Sequence, residues 1–392
     1  MRRRAFAAAG ALVAALAARS ASAAECSTLP TPIYVTGSTA AKPLLMEIGK
    51  VMAAQTPPVT VVYLGQGSCA GVDAIVSGTQ ITSTSGTPTY WDPGGAEMTC
   101  DITVSVVAHI GISDVFANTC YQLPGGLPVA VTDVLGPVQA MTFVTHRMSI
   151  ERAISADAAY YIYGFGAQSE LPPWTMESLI FKRDDLSGTQ RMIAAAIGVP
   201  PQRWKGTATT SSSDMLTRVA SAVLPNSSIG ILSAEVAQEN RVMVRVLAYQ
   251  NRKETCAVFP DSDESTNDKV NVRTGKYPIW GPLHLFTRVN ASGYPANAKA
   301  GEVVGYLSGT RPAPAGLDLI RIEAQHHAVP QCAMRVMRMQ EMGPTTPFAP
   351  AGACGCYYEK LATGATACKP CTVAGDCSGS AAVCSYGYCE AQ

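Results

Sequence analysis

Four short stretches of this chain place hydroxyls, glycines and a guanidinium where they suit an oxyanion. They are Gly37-Ser38-Thr39, Gly67-Ser68, Ser113-Asp114 and the run from Arg183 to Thr189 within KRDDLSGTQ. Each follows a β-like run and opens a helical one. A helix start leaves its first N–H groups unpaired and carries a partial positive charge, so several converging starts can hold an anion with little net protein charge. Serine and threonine hydroxyls add donors, and Arg183 adds a planar fork that matches a phosphate edge. Taken singly, each stretch also reads as an ordinary N-cap, and Arg183 beside Asp184 and Asp185 as a solvated ion pair. Their joint occurrence is what points to one site.

The runs between these stretches predict the elements that position them. PIYVTGS, AAKPLLMEIGKVMAAQ, VTVVYLGQGS and GVDAIVSG alternate strand, helix, strand, helix. That order predicts an α/β fold with a mainly parallel sheet, in which ligands sit beyond the carboxyl ends of strands. Residues 78–108 interrupt the alternation with polar β-formers around a Pro-Gly-Gly turn, and read as an inserted hairpin. VQAMTFVTH, LIFKRDD, IGILS and IWGPLHLFTRV then predict strands, and ISADAAYYIYGF, SGTQRMIAAAIG and SSSDMLTRVASAV predict helices.

In order along the chain, GSTAAKP, GQGSCAGV, IGISD, RDDLSGT and the later SSSD and LPNSSIGILS resemble the phosphate-binding proteins of bacterial ABC transporters. These are a branch of the type II periplasmic solute-binding proteins. The resemblance spans roughly residues 33–286, and RDDLSGT is its most specific motif. It implies a two-lobed α/β fold of the periplasmic-binding-protein type that holds inorganic phosphate, or a related oxyanion, between its lobes, with an ABC permease as partner; the protein is expected to be a monomer. It implies that Thr39, the Ala40 N–H, Ser68 and Asp114 bind phosphate from lobe one, and Arg183, Ser187, the Gly188 N–H and Thr189 from lobe two. Ser38 supports the first loop, and Asp185 orients Arg183. Neither a cofactor nor a metal is implied. A carboxylate such as Asp114 repels an anion unless the anion still carries a proton to donate, as monohydrogen phosphate does and sulfate does not. The chain departs from the family pattern at Ala40, where a bulky apolar residue is common, at His109, where an aspartate is common, and in the inserted hairpin.

On this reading lobe one comprises residues 24–140 and 280–345, and lobe two residues 141–279. The chain crosses near residues 136–145 and returns near 273–282. From residue 343 a Pro-rich stretch reads as a linker to a tail, residues 346–392, too small for a hydrophobic core and expected to be a disulfide-stapled appendage.

Composition agrees with a binder of small solutes. The chain has 392 residues, is 15% charged and 47% apolar, and has a formal net charge of zero, so nothing global favours nucleic acid or an anionic membrane. Arg2 to Arg4, the apolar run from Ala5 to Ala18 and Ala21-Ser22-Ala23 read as a cleavable leader over residues 1–23, which predicts a periplasmic or secreted protein. No later segment is long and apolar enough to span a bilayer. After export the 13 cysteines are expected mainly in disulfides, and their odd number leaves one over.

Other chemistry is weakly represented. Glu323, His326 and His327 would share a helix face but lack a further metal ligand, and Cys368-x-x-Cys371 reads as disulfide rather than zinc. There is no nucleophile elbow and no metal-binding Asp/His cluster of the kind a phosphatase needs. The competing readings are an extracellular sensor or adhesion protein on the same scaffold and, behind it, a phosphate-ester hydrolase.

Overall fold

The computed structural model describes residues 24–391, so the expected leader lies outside the described residues. The chain begins with β1 (Pro32–Gly37), α1 (Lys42–Ala53), β2 (Thr60–Leu64) and α2 (Ser68–Val76). Side chains alternate across each strand, so a strand covered on both faces is apolar throughout. Val61 and Tyr63 of β2 pack in one core with Leu45 and Ile48 of α1. Val62 and Leu64 pack in the other with Val72 and Ile75 of α2. Residues 78–108 contain the expected hairpin: β3 (Thr89–Trp91) and β4 (Glu97–Asp101) pair antiparallel and extend the sheet beyond β2.

Next come β5 (Ile110–Ser113) and the single turn α3 (Ala117–Cys120), and then the long β6 (Val131–His146). The second half adds β7 (Phe181–Lys182), α4 (Gly188–Ile197), β8 (Gly230–Ser233), β9 (Val244–Val246) and β10 (Trp280–Arg288). The sheet is mixed rather than mainly parallel. β1 pairs in parallel with β2 and β5, but β10 is antiparallel to both β5 and β6, and β6 is antiparallel to β8 and β9. The physical reason is the two-lobed plan: β6 carries the chain out of one lobe and β10 carries it back.

The register shows how. β6 pairs with β10 from Val131 to Ala140, and from Met141 onward it pairs with β8 and then β9. Ile180, just before β7, bridges in parallel to Ile229, just before β8, so these two strands end at the same rim. That rim carries Arg183 and Ser233, and Ser233 lies opposite Met141 on the crossing strand.

The tail differs from a free appendage. The Pro-rich stretch pairs through Thr346–Pro347 with Val336–Met337, and the helix Gly355–Thr363 buries Tyr358 in the larger core. An apolar helix face needs a partner surface, and the body supplies it. Twelve cysteines form the disulfides Cys26–Cys100, Cys69–Cys120, Cys332–Cys354, Cys356–Cys368, Cys371–Cys384 and Cys377–Cys389. Cys256 is the one left over, free and exposed.

The Cys69–Cys120 bond joins α2 to α3 across a separation of 51 residues. Replacing both cysteines with serine should lower unfolding stability by about 2–4 kcal/mol in a denaturant titration. An unchanged midpoint would mean that packing alone holds these two segments.

Candidate functional site

Three loops of the first lobe meet at Asp114. Ser38 Oγ donates to one carboxylate oxygen of Asp114, and Ser68 Oγ donates to the other at 3.0 Å. The Asp114 N–H in turn donates to Ser68 Oγ at 3.1 Å. The backbone must approach closely for this to happen. Gly37 has φ +130°, and a Cβ there would lie 2.0 Å from the Ile112 carbonyl oxygen, so only glycine fits between β1 and β5. Ser38 is held from behind by Tyr63, whose hydroxyl donates to the Ser38 carbonyl at 2.6 Å.

The second lobe closes on the same carboxylate. A Cβ built on Gly188 would fall 2.2 Å from Ser68 Oγ and 2.6 Å from Asp114 Oδ2, so the first residue of α4 packs directly on Asp114 and Ser68. Beside it, the Cys69 N–H donates to the Leu186 carbonyl at 3.1 Å, a backbone bond between the second loop and the RDDLSGT loop. Ser187 caps α4 by accepting from Gln190 N at 3.4 Å, which leaves the N–H groups of Gly188 and Thr189 outside the intrahelical ladder. Thr189 is buried at the same turn.

Arg183 is only 5% exposed, its Nη1 donates to Ser212 Oγ at 3.1 Å, and its Nε has no partner among the described residues. Burial lowers its pKa, opposed by the nearby charges of Asp184, Asp114 and Asp214. Burial raises the pKa of Asp114, opposed by the two serine hydrogen bonds and by Arg183. Asp114 and Arg183 are thus near enough to feel each other inside a low-dielectric contact between lobes. Such a contact strengthens every charge interaction made within it.

Two expectations change on this geometry. Asp185 does not orient Arg183: it is exposed, its carbonyl accepts from Arg191 Nε at 2.7 Å, and the partner of Arg183 is Ser212. The physical reason is the turn at Asp184, whose carboxylate accepts from Leu186 N at 2.9 Å and sends the next residue outward. The Ala40 N–H is already used, donating to Ser38 Oγ at 3.2 Å, while Thr39 sits half-buried in the same turn. Ser38 is therefore more central than Thr39.

Several participants escape a reading of motifs. Gln139, a lone amide in the apolar β6, donates to the Ala40 carbonyl at 3.2 Å and ties the crossing strand to the first loop. Its polarity within VQAMTFV was an available signal. Glu235 follows β8 at the rim shared with Arg183, is buried, and has both carboxylate oxygens unpartnered among the described residues. Nothing in LSAEVA marks it. Burial pushes its pKa up to about 8, with Lys269 opposing and Asp114 adding to the shift.

The metal candidates do not assemble. The helix Leu319–Gln325 ends before both histidines, and His327 has φ +58°. Among the described residues the one metal-sized cluster is Cys371, Cys377 and Cys384, whose sulfurs are engaged in disulfides.

No family model matches the sequence, and no curated protein matches it. Solved structures do. A protein of Clostridium perfringens, designated a phosphate ABC transporter substrate-binding protein and solved with bound phosphate, aligns over 76% of this chain and 99% of its own, with TM-score 0.52 and 14% identity. The fold is that of a two-lobed solute-binding protein. An ABC-type phosphate transport receptor from Vibrio cholerae aligns over 76% of this chain and 99% of its own, with TM-score 0.47 and 15% identity. The regulatory domain of OxyR from Pseudomonas aeruginosa aligns over 73% and 99%, with TM-score 0.40 and 8% identity. No helix among the described residues is long and apolar enough to cross a membrane.

Glu235 gives a pH signature. Its folded pKa of about 8 stands above the ordinary 4.5, so the folded protein holds a proton that the unfolded chain releases between those values. Stability is therefore lost as pH rises through that window, by up to about 1.4 kcal/mol per pH unit. Between pH 6.5 and 8.5 the wild type should lose more stability than Glu235→Gln in matched denaturant titrations. Parallel curves would show that Glu235 does not titrate abnormally.

Proposed function

We propose that this protein captures monohydrogen phosphate between its two lobes, outside the cytoplasm, and delivers it to an ABC permease. The observation that carries the reading is the meeting of Asp114, held on both oxygens by Ser38 and Ser68, with the start of α4 and the buried Arg183. Donors from a helix start and a guanidinium favour an anion, and the carboxylate among them favours one that still bears a proton. Gly188, Thr189 and Arg183 supply donors from the second lobe. Ser38 and Ser68 orient Asp114 as the acceptor, and Thr39 completes the first loop.

Because both halves of the site come from one chain, a monomer suffices. Closing the lobes on the ligand is favoured by contacts that exist only in the closed form. No covalent step is needed. Six disulfides support an oxidising compartment, in line with the leader expected over residues 1–23.

Calorimetric titration of ligand-stripped protein with phosphate tests this. One phosphate per chain should bind, and Arg183→Ala should weaken it by about 100-fold, as expected for loss of a buried charged donor. An absence of binding to properly folded wild type would overturn the reading.

A further inference from the structure

The segment after the second crossing, residues 326–348, runs over the hinge and touches both lobes. Val329 and Val138 exchange backbone hydrogen bonds at 2.9 and 2.7 Å on β6, and Gln331 Nε2 donates to the Gly136 carbonyl at 2.6 Å. Arg335 N donates to the Arg273 carbonyl at 2.9 Å, and Arg273 Nε donates to the Ala333 carbonyl at 3.0 Å, which ties the segment to the chain entering β10. The buried Arg338 guanidinium lies 4.1 Å from the Trp280 ring centroid at the start of β10. The Cys332–Cys354 bond anchors the segment to the tail helix.

Its tip reaches the segment that follows Asp114. Glu341 Oε2 accepts from Phe116 N at 3.3 Å and from Thr119 Oγ1 at 3.5 Å, two and five residues after Asp114. The Thr119 carbonyl accepts from Arg191 Nη1 of α4 at 3.0 Å. Thr119 is thus a junction where the first lobe, the second lobe and the C-terminal segment meet. Behind it the Phe116 ring packs 4.3 Å from that of His284, whose Nδ1 lies 2.7 Å from Asp133 Oδ2.

We infer that residues 326–348 form a strap that belongs to the binding cleft, with Glu341 as a positioning residue that holds the Asp114 loop against the second lobe. The strap bonds to the hinge strand β6, to the chain entering β10 and to the Asp114 loop at once, so opening the cleft must strain or break at least one of these attachments. Ligand release is slowed to the extent that they hold. Glu341 is half-buried with its Oε1 enclosed, and a carboxylate there serves two donors that would otherwise lose their partner, so its removal loosens the loop rather than only a surface contact.

The release-rate test rests on the phosphate reading, so a second measurement without ligand accompanies it. On the full chain with disulfides intact, Glu341→Ala should speed phosphate dissociation in a stopped-flow chase by about tenfold, and Glu341→Gln, which keeps an acceptor oxygen, should recover most of the loss. Without phosphate, hydrogen exchange at Phe116 to Thr119 should quicken in Glu341→Ala and remain near wild type in Glu341→Gln. Unchanged exchange in the alanine variant overturns the strap whether or not phosphate binds. Faster exchange with an unchanged phosphate release rate overturns its role in the cleft. A wild type that exchanges as expected but binds no phosphate overturns the phosphate reading and leaves the strap standing.

Discussion

A carboxylate buried between two lobes is the constraint on which the rest of this structure depends. Asp114 is 5% exposed, and burying a charge is costly unless hydrogen bonds and opposite charge compensate. Ser38 and Ser68 supply the first, and the start of α4 with Arg183 supplies the second. Glycines at 37 and 188 are required because each loop must bring backbone, not side chain, up to its neighbour. The parallel strands β2, β1 and β5 aim three loops at one point, and the crossing strand β6 leads to the fourth, in the other lobe.

Much of this was legible because strand, turn and helix leave strong local signals. The stretches around Ser38, Ser68, Asp114 and Ser187 each open a helix or lie at a strand end, as their hydroxyls and glycines indicated. The mixed sheet was not legible, since the direction of β6 and β10 follows from which lobe each enters and not from their composition. The separation of Asp185 from Arg183 is not legible either, because a motif carries residue order but not the turn at Asp184 that faces the next side chain outward. Glu235 and Glu341 are not legible in local pattern, because what marks them is the burial of the first and the bonding of the second to Phe116 and Thr119, both made by segments distant in sequence.

The tail illustrates the same limit. Its cysteines correctly pointed to disulfides, yet its Pro-rich start concealed a pairing with Val336–Met337 and a helix that docks through Tyr358. Short segments too small for their own core gain one by sharing the body's. The consequence is a solute-binding fold whose hinge is bridged by residues after its second crossing, so that cleft motion and tail attachment are coupled.

The sharpest test of the role given to Asp114 is oxyanion selectivity in Asp114→Asn, titrated with phosphate and sulfate at pH 8. The wild type should bind phosphate and reject sulfate, while the variant, which replaces a repelling acceptor with a neutral amide, should bind the two within about tenfold of each other. Undiminished discrimination in a folded variant, or sulfate binding by the wild type as tight as its phosphate binding, would contradict a selectivity built on that carboxylate.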